Sequence, residues 1–212
     1  MNTGSDTPSG SHYFSERPSR DSRRGAFDFA VGNTTLTVST DTGVFSQHGL
    51  DKGTRVFLDT MMRRDRPVLL PGDVLCDLGC GSGAIALTLA VLYPKCRVLA
   101  LDVNERARQL CAENARFNNL DNVTVISPDE FDDDTQVTLL WSNPPIRIGK
   151  DALHDLLSTW LSRLAPRGMS HLVVGKNLGA DSLTSWLNDI GYHAAKIASS
   201  KGFRVLEVCR TQ

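Results

Sequence analysis

The sequence predicts an α/β fold in which a mostly parallel sheet is covered by helices on both faces. Three observations carry this prediction. From residue 73 onward, short apolar runs alternate with segments of helical periodicity. The runs are continuously apolar, as expected of parallel strands that are buried on both sides. A glycine-rich loop at residues 79–83 joins the first of these runs to a helix.

Individual elements follow from periodicity and turn residues. Alternating segments at 27–31 and 35–39 flank Gly32 and Asn33, which predicts a β-hairpin. The predicted strands of the sheet are 74–78, 97–102, 123–126, 137–142 and 170–174. The predicted helices are 52–62, 84–92, 105–117, 152–164 and 182–190. Segments 194–198 and 203–208 predict an antiparallel hairpin that closes one edge of the sheet.

Length and composition indicate one globular domain. The 212 residues, 41% hydrophobic and 22% charged, suit a single α/β core. We expect a disordered leader at 1–11, a hairpin and helix extension at 12–64, and a catalytic domain at 65–212. No apolar run approaches the roughly 20 residues that span a bilayer, and the polar start is unlike a signal peptide. These features predict a cytoplasmic protein without a membrane partner.

The cysteine spacing and the net charge exclude few further classes of function. The five cysteines lack CxxC spacing, which favours free thiols over a metal site or disulfides. The formal net charge of −1 creates no global field that would attract nucleic acid. Basic clusters occur at 12–24 and 147–176, and an acidic run occurs at 129–134. A solvated surface explains these clusters as well as an RNA-binding face does.

The glycine loop is a candidate cofactor site. Gly79, Cys80 and Gly81 lie between a strand and a helix, where backbone N–H groups can approach a ligand. The spacing also fits a dinucleotide motif, so a NAD-dependent enzyme is a candidate. Asp77 disfavours that reading, because a carboxylate at the strand end would repel a pyrophosphate but suits the amino group of a methionine moiety.

Acidic residues end the next two strands. Asp102 can accept hydrogen bonds from both hydroxyls of a ribose, a requirement shared by nicotinamide and methionine nucleosides. Its neighbour Val103 belongs to the same candidate cofactor site. Asp129 is a candidate acceptor for an adenine amino group, although a solvated loop acid is an equal interpretation.

The candidate catalytic motif is Asn143, Pro144 and Pro145, at the end of the fourth strand of the sheet. In open α/β sheets the carboxyl ends of strands form the ligand crevice, so this motif should face the glycine loop. A nucleobase amine or a glutamine amide attacks poorly because its lone pair is delocalised. The Asn143 side-chain oxygen and the Pro144 carbonyl could accept its two N–H protons and aim the lone pair at a sulfonium methyl. Asn143 would then also contact the cofactor, and no metal is required.

These residues resemble a known family. The blocks HYFSERPS, DTGVFSQHGLDKGTRVFLD, DLGCGSGAIAL, LDVNERA, NPPIRIGK and KGF are similar to small-domain methyltransferases of the ribosomal RNA small-subunit methyltransferase C type. The resemblance covers residues 12–210. It implies a Rossmann-like class I fold with a seven-stranded sheet, S-adenosylmethionine as donor and S-adenosylhomocysteine as product. It also implies transfer to guanine N2 of 16S RNA, with Asn143 as the catalytic residue.

The resemblance implies a short, single-domain form with ribosomal RNA or the small ribosomal subunit as partner. Phe45, Ile146, Arg147 and Lys150 are the candidate substrate-binding residues. Ile146 could pack on a base where relatives carry an aromatic residue, and Arg147 and Lys150 could contact phosphates. Phe45 or Phe203 could supply a stacking ring, with core packing as the alternative for each.

Two further functions stay open at this point. A protein methyltransferase that modifies glutamine N5 faces the same chemical problem, but Ile146 replaces the tyrosine expected after the Asn-Pro-Pro motif. A non-catalytic RNA-binding module could retain the fold. The presence of Asp77, Asp102 and Asn143 together favours an active enzyme.

Overall fold

An N-terminal β-hairpin precedes the sheet. The computed structural model describes residues 24–41, 49–145 and 148–211. Strands β1 (Gly25–Val31) and β2 (Thr34–Thr40) pair antiparallel around a turn at Gly32 and Asn33. The predicted hairpin is therefore confirmed, while the predicted leader lies outside the described residues.

Seven strands form the second sheet, in the order β5-β4-β3-β6-β7-β9-β8. Their bounds are β3 (Val74–Leu78), β4 (Arg97–Leu101), β5 (Val123–Ile126), β6 (Val137–Ser142), β7 (Leu164–Gly175), β8 (Tyr192–Ser200) and β9 (Phe203–Arg210). β3 to β7 run parallel, and β9 pairs antiparallel with β7 and with the edge strand β8. This is the predicted Rossmann-like arrangement with an antiparallel hairpin at one edge.

Helices cover both faces of this sheet. They are α1 (Lys52–Met61), α2 (Ala84–Leu92), α3 (Glu105–Phe117), α4 (Lys150–Leu161) and α5 (Ala180–Asp189). Neighbouring residues of one strand enter opposite cores: Leu140 packs with α4 and α5, whereas Leu139 and Trp141 pack with α1 and α2. Burial of both faces explains why the strands are continuously apolar. Within the described residues, no helix is long and apolar enough to cross a membrane.

β7 differs from its prediction. It begins at Leu164, six positions before the predicted start at Ser170, and α4 ends at Leu161 instead of residue 164. A Cβ atom on Gly168 would lie 2.7 Å from the carbonyl oxygen of Val137, so glycine allows β7 to approach β6 closely. Leu164 pairs with Val137 and Met169 pairs with Leu139, so the register shifts between them, and Pro166 and Gly168 lie in this irregular part of β7.

Asn114 of α3 and Asn118, the C-cap residue of the same helix, attach the hairpin to the main body. The Asn114 side chain accepts from the Ser39 N–H at 2.9 Å and donates to the Ser39 carbonyl at 2.9 Å. Asn118, one turn later, makes the same pair of bonds with Thr37 at 3.0 and 2.8 Å. Side-chain amides thus pair with alternate residues of β2 as a neighbouring strand would. Asn114 also donates to the carbonyl of Ser82 in the glycine loop at 2.8 Å.

Candidate active site

The glycine loop and the Asn-Pro-Pro motif lie side by side at the carboxyl edge of the sheet. β3 and β6 are parallel neighbours with Leu78 opposite Ser142, and the Ser142 hydroxyl donates to the Leu78 carbonyl at 2.7 Å. The residues that follow, Gly79 and Asn143, line one small cavity. Its lining residues are Thr54, Gly79, Cys80, Gly81, Ser82, Ala84, Ile85 and Asn143. The structure therefore brings the two predicted motifs together.

The backbone of the glycine loop is fixed against the end of β4. The N–H groups of Gly79 and Cys80 donate to the Leu101 carbonyl at 2.8 and 2.9 Å. The Gly81 N–H donates to Oδ2 of Asp102 at 2.9 Å. A Cβ atom on Gly79 would have no atom of the described residues within 4 Å, so among them the loop presents open space beside its backbone. Such a surface allows a ligand to approach closely.

Gly83 ends the loop at the start of α2. Its φ of +92° lies in the left-handed region, and a Cβ atom there would lie 2.7 Å from Sγ of Cys111. Only glycine suits both conditions. The thiol of Cys80 hydrogen-bonds with Cys111, and this contact together with burial raises the pKa of Cys80 well above its usual value. All five cysteines are free, and the Cys80 thiol stays protonated at neutral pH.

Asp77 lies at the end of β3 and is completely buried. Its Oδ2 accepts from the Ala86 N–H in the first turn of α2 at 2.9 Å, whereas its Oδ1 has no hydrogen-bond partner among the described residues. Burial raises the pKa of Asp77 to about 8; the Ala86 N–H lowers it in part and the charge of Asp102 adds to the rise. A buried carboxyl oxygen without a partner is rare and is a natural position for a polar or cationic ligand group.

Asp102 follows β4 and orders the adjacent turn. Besides the bond from Gly81, its Oδ1 accepts from the Asn104 N–H at 2.9 Å. Burial raises the pKa of Asp102, while the N–H groups of Asn104 and Gly81 and the charge of Arg108 act in the opposite direction. Each carboxylate oxygen has a second acceptor position, so both can still accept from ligand hydroxyls. Val103 is 39% exposed and offers an apolar surface beside the carboxylate.

The remaining predicted residues either lie at the surface or fall outside the described residues. Asp129 lies on an exposed 3-10 turn, Pro128–Glu130, directly after β5. Lys150 is exposed at the first position of α4. Phe45, Ile146 and Arg147 lie outside the described residues.

Asn143 has a defined orientation at the cavity. Its Nδ2 donates to Oδ2 of Asp51 at 2.8 Å and to the Thr54 hydroxyl at 3.0 Å. Both N–H protons of the amide are thereby used, and the amide oxygen points away from these partners. Pro144 is buried, and the carbonyl of Pro145 accepts from the Ile148 N–H at 3.2 Å, which closes the turn after the motif. Hydrogen bonds at Asn143 and at Pro145 therefore fix both ends of the motif.

Phe203 packs beside this arrangement. A Cβ atom on Gly53 would lie 3.0 Å from Cε1 of Phe203 and 3.0 Å from Oδ2 of Asp51. The ring is partly buried against the core cluster that contains Val56 and Phe57. These contacts agree with the alternative interpretation of Phe203, in which its ring packs against the core.

Sequence reasoning did not identify Asp51 and Thr54 as site residues. Asp51 directly precedes α1, where its side chain caps the helix by accepting from the Gly53 and Thr54 N–H groups at 2.9 and 3.1 Å. The cap is visible in the sequence as an acidic residue before a helical segment. Its contact with Asn143, 92 residues away, depends on the tertiary fold.

Comparison with known proteins extends this picture. A full-length relative is an uncharacterised protein of Bacillus subtilis, YbxB, which is 33% identical over 92% of this chain and 96% of its own length. The ribosomal RNA small subunit methyltransferase C of Serratia proteamaculans is 34% identical over 68% of this chain. This chain spans only 38% of that enzyme's length.

Structural similarity agrees with the sequence matches. A T. thermophilus 16S rRNA N2 methyltransferase in complex with S-adenosylmethionine and guanosine aligns with a TM-score of 0.73 at 20% identity. The alignment covers 92% of this chain and 52% of that one. At this identity the likeness establishes the fold, and it confirms the predicted Rossmann-like methyltransferase architecture.

A family model adds the decisive match. The model described as methyltransferase small domain matches residues 35–207, which include every described residue of the candidate site. Methyltransferases of this family use S-adenosylmethionine, so the predicted donor is confirmed. The chain belongs to the methyltransferase small domain family.

Proposed function

We propose that this methyltransferase transfers a methyl group from S-adenosylmethionine to the exocyclic N2 amine of a guanine in 16S ribosomal RNA. The orientation of Asn143 carries the proposal, because its NH2 group is bound by Asp51 and Thr54 and its oxygen is left as an acceptor at the cavity of the glycine loop. The names of the small-subunit methyltransferase C relatives support an RNA substrate. We expect ribosomal RNA or the small subunit as partner, in the cytoplasm.

The residues around the glycine loop fit the donor. We assign cofactor binding to Asp77, Gly79, Cys80, Gly81, Asp102, Val103, Asp129 and Asn143. The unpartnered Oδ1 of Asp77 suits a positively charged amino group, which would favour the ionised carboxylate despite its burial. Asp102 suits the ribose hydroxyls, and Val103 suits the apolar face of a base. The donor supplies an electrophilic methyl group carried on a sulfonium.

The residues of the Asn-Pro-Pro motif orient the nucleophile. The Asn143 oxygen and the Pro144 carbonyl accept the two N–H protons of the guanine amine, which favours a pyramidal nitrogen with its lone pair directed at the methyl carbon. The nitrogen would gain the methyl group as the bond between the methyl carbon and the donor sulfur breaks, S-adenosylhomocysteine would leave, and the nitrogen would release one proton to solvent. Pro145 fixes the backbone, and proline restricts the geometry of the carbonyl before it. Catalysis of this kind depends on positioning and needs no covalent enzyme intermediate.

Substrate contacts complete the proposal. Lys150 is exposed at the start of α4, five positions after Pro145, and can contact a phosphate. We assign the same function to Arg147, and base packing to Ile146 and Phe45.

The experiment uses a methyl-labelled donor with 16S RNA and, separately, with assembled small subunits. Label should appear as N2-methylguanosine when the RNA is digested to nucleosides and analysed by mass spectrometry. Label recovered in glutamine of a ribosomal protein would instead support the glutamine-N5 reaction. Absence of label in both substrates would reject the proposed reaction, and failure to bind S-adenosylhomocysteine as well would favour a non-catalytic RNA-binding module.

A further inference from the structure

One carboxylate oxygen connects helix α1 to the Asn-Pro-Pro motif. Among its contacts with the described residues, Oδ2 of Asp51 accepts hydrogen bonds from the N–H groups of Gly53 and Thr54 and a third from Nδ2 of Asn143 at 2.8 Å. The first two belong to the cap of α1. The third reaches a residue 92 positions away, at the candidate site. The same atom therefore caps the N-terminus of α1 and contacts the Asn-Pro-Pro motif.

The chemistry of the two partners determines which way the amide of Asn143 points. The Thr54 hydroxyl can donate or accept, so it could bind either end of the amide. An ionised carboxylate accepts only, and it would repel the amide oxygen. Asp51 therefore selects the orientation in which NH2 faces α1 and the oxygen faces the cavity.

We infer that Asp51 is a positioning residue for methyl transfer, with Thr54 as its partner. The carboxylate fixes the Asn143 amide so that its oxygen, rather than its NH2 group, meets the amine of the substrate. The inverted amide would present two donors to a group that is itself a donor. This inference rests on the proposed function, because it concerns the substrate orientation assigned there.

The surroundings of Asp51 favour a stiff arrangement. The hypothetical Cβ position on the buried Gly53 lies 3.0 Å from both Oδ2 of Asp51 and Cε1 of Phe203, so the carboxylate and the ring both pack against the side of Gly53 on which a side chain would project. Thr54 is 6% exposed. Hydrogen bonds that are shielded from water are stronger and more directional than exposed ones.

The test separates orientation from helix capping. Serine is a good N-cap residue but is too short to reach Asn143 from position 51 in the manner of aspartate, so Asp51→Ser should keep α1 and lose the third bond. Asp51→Asn retains an oxygen that can accept from Asn143. Thr54→Val removes the second acceptor. Thr60→Val is the matched control, because the Thr60 hydroxyl lies on the same helix and, among the described residues, bonds the Val56 carbonyl alone at 2.7 Å.

We expect kcat for RNA methylation to fall about a hundredfold in Asp51→Ser, the order of loss expected when a reacting group is misplaced. Asp51→Asn should restore part of this loss, Thr54→Val should cost less than Asp51→Ser, and Thr60→Val should match the wild type. Affinity for S-adenosylhomocysteine and the Tm should change little in Asp51→Ser. Wild-type kcat in Asp51→Ser, or a fall that only follows a collapse in Tm, would overturn the inference.

A second readout does not depend on RNA. The side-chain NH2 signals of Asn143, assigned in ¹⁵N NMR spectra by their loss in Asn143→Asp, should shift and exchange faster with water in Asp51→Ser than in Thr60→Val. Unchanged signals would overturn the positioning of Asn143 by Asp51. If the wild type methylates no RNA but the Asn143 signals still shift in Asp51→Ser, the proposed substrate is wrong, whereas the positioning of Asn143 by Asp51 is supported.

Discussion

The side-chain nitrogen of Asn114 donates to the carbonyl of Ser82 at 2.8 Å, and this bond joins helix α3 to the glycine loop. The same side chain pairs with both backbone groups of Ser39 in β2. A hairpin outside the main sheet is thus coupled to the segment assigned to the methyl donor. Asn114 is 1% exposed, so its hydrogen bonds have no water to replace them.

We predict that Asn114→Ala lowers the free energy of unfolding by about 1–3 kcal/mol, because buried backbone groups lose their partners. It should also weaken binding of S-adenosylhomocysteine, since the Ser82 carbonyl is no longer fixed. Asn118→Ala is the matched control, at the C-cap of α3 one turn away, where the side chain bonds Thr37 and its own helix but no other described residue. Calorimetric titration should find donor affinity reduced in the first variant alone; equal affinities would disprove the coupling.

The second prediction concerns the pH dependence of stability. Burial raises the pKa of Asp77 from 3.8 to about 8, so the folded chain binds more protons than the unfolded chain between these values. Its stabilising contribution is complete below pH 3.8 and is lost as the pH rises through about 8. Urea unfolding of the donor-free protein should therefore show stability falling with pH more steeply than in Asp77→Asn, which cannot ionise. Parallel pH profiles would contradict the raised pKa.

The third prediction tests the carboxylate assigned to the ribose. Asp102→Ala should weaken S-adenosylhomocysteine binding about tenfold to a hundredfold, as expected when hydrogen bonds to a charged group are lost. Asp121→Ala, which removes an exposed acid before β5, serves as the control and should bind like the wild type. Calorimetry measures both, and an unchanged affinity in Asp102→Ala would remove the ribose assignment.

A fourth prediction concerns the phosphate contact proposed for Lys150. Lys150→Ala should weaken RNA binding and reduce the slope of log affinity against log salt concentration by about 0.7–0.9, the contribution of one phosphate contact. Lys95→Ala, in the exposed turn before β4, is the control. Filter-binding titrations over a range of salt concentrations measure the slopes. The same slope in Lys150→Ala and the wild type would count against the contact.

The fold could be predicted from local patterns, because the apolar runs of its strands and the periodicity of its helices are both visible in the sequence. The bounds of β3, α2, α3, β5 and β6 match the predicted ones residue by residue. The predicted start of β7 was wrong, because its first residue, Leu164, is separated from the regular part of the strand by a shift in register. Only the approach of Val137 in the folded sheet explains why glycine is needed at position 168.

The residues of the site likewise divide into those that the sequence identifies and those that only the tertiary structure identifies. Asp77 and Asp102 lie at the carboxyl ends of predicted strands and Asn143 directly follows one, so their place at the sheet edge follows from the parallel topology alone. Asp51 and Asn114 act across 92 and 32 residues of sequence, on Asn143 and Ser82. Each has an ordinary local explanation, as a helix cap or a polar helix face, so only the tertiary structure identifies its second contact.

The most direct test of the account is the turnover of Asn143→Ala, measured together with its affinity for S-adenosylhomocysteine. Loss of a preorganised group that acts mainly in the transition state should reduce kcat on 16S RNA or small subunits by about 10²–10³-fold. Donor affinity should stay within a few-fold of the wild type. Retained turnover, or a loss explained by failed donor binding, would contradict the assignment of Asn143 as the residue that orients the guanine amine.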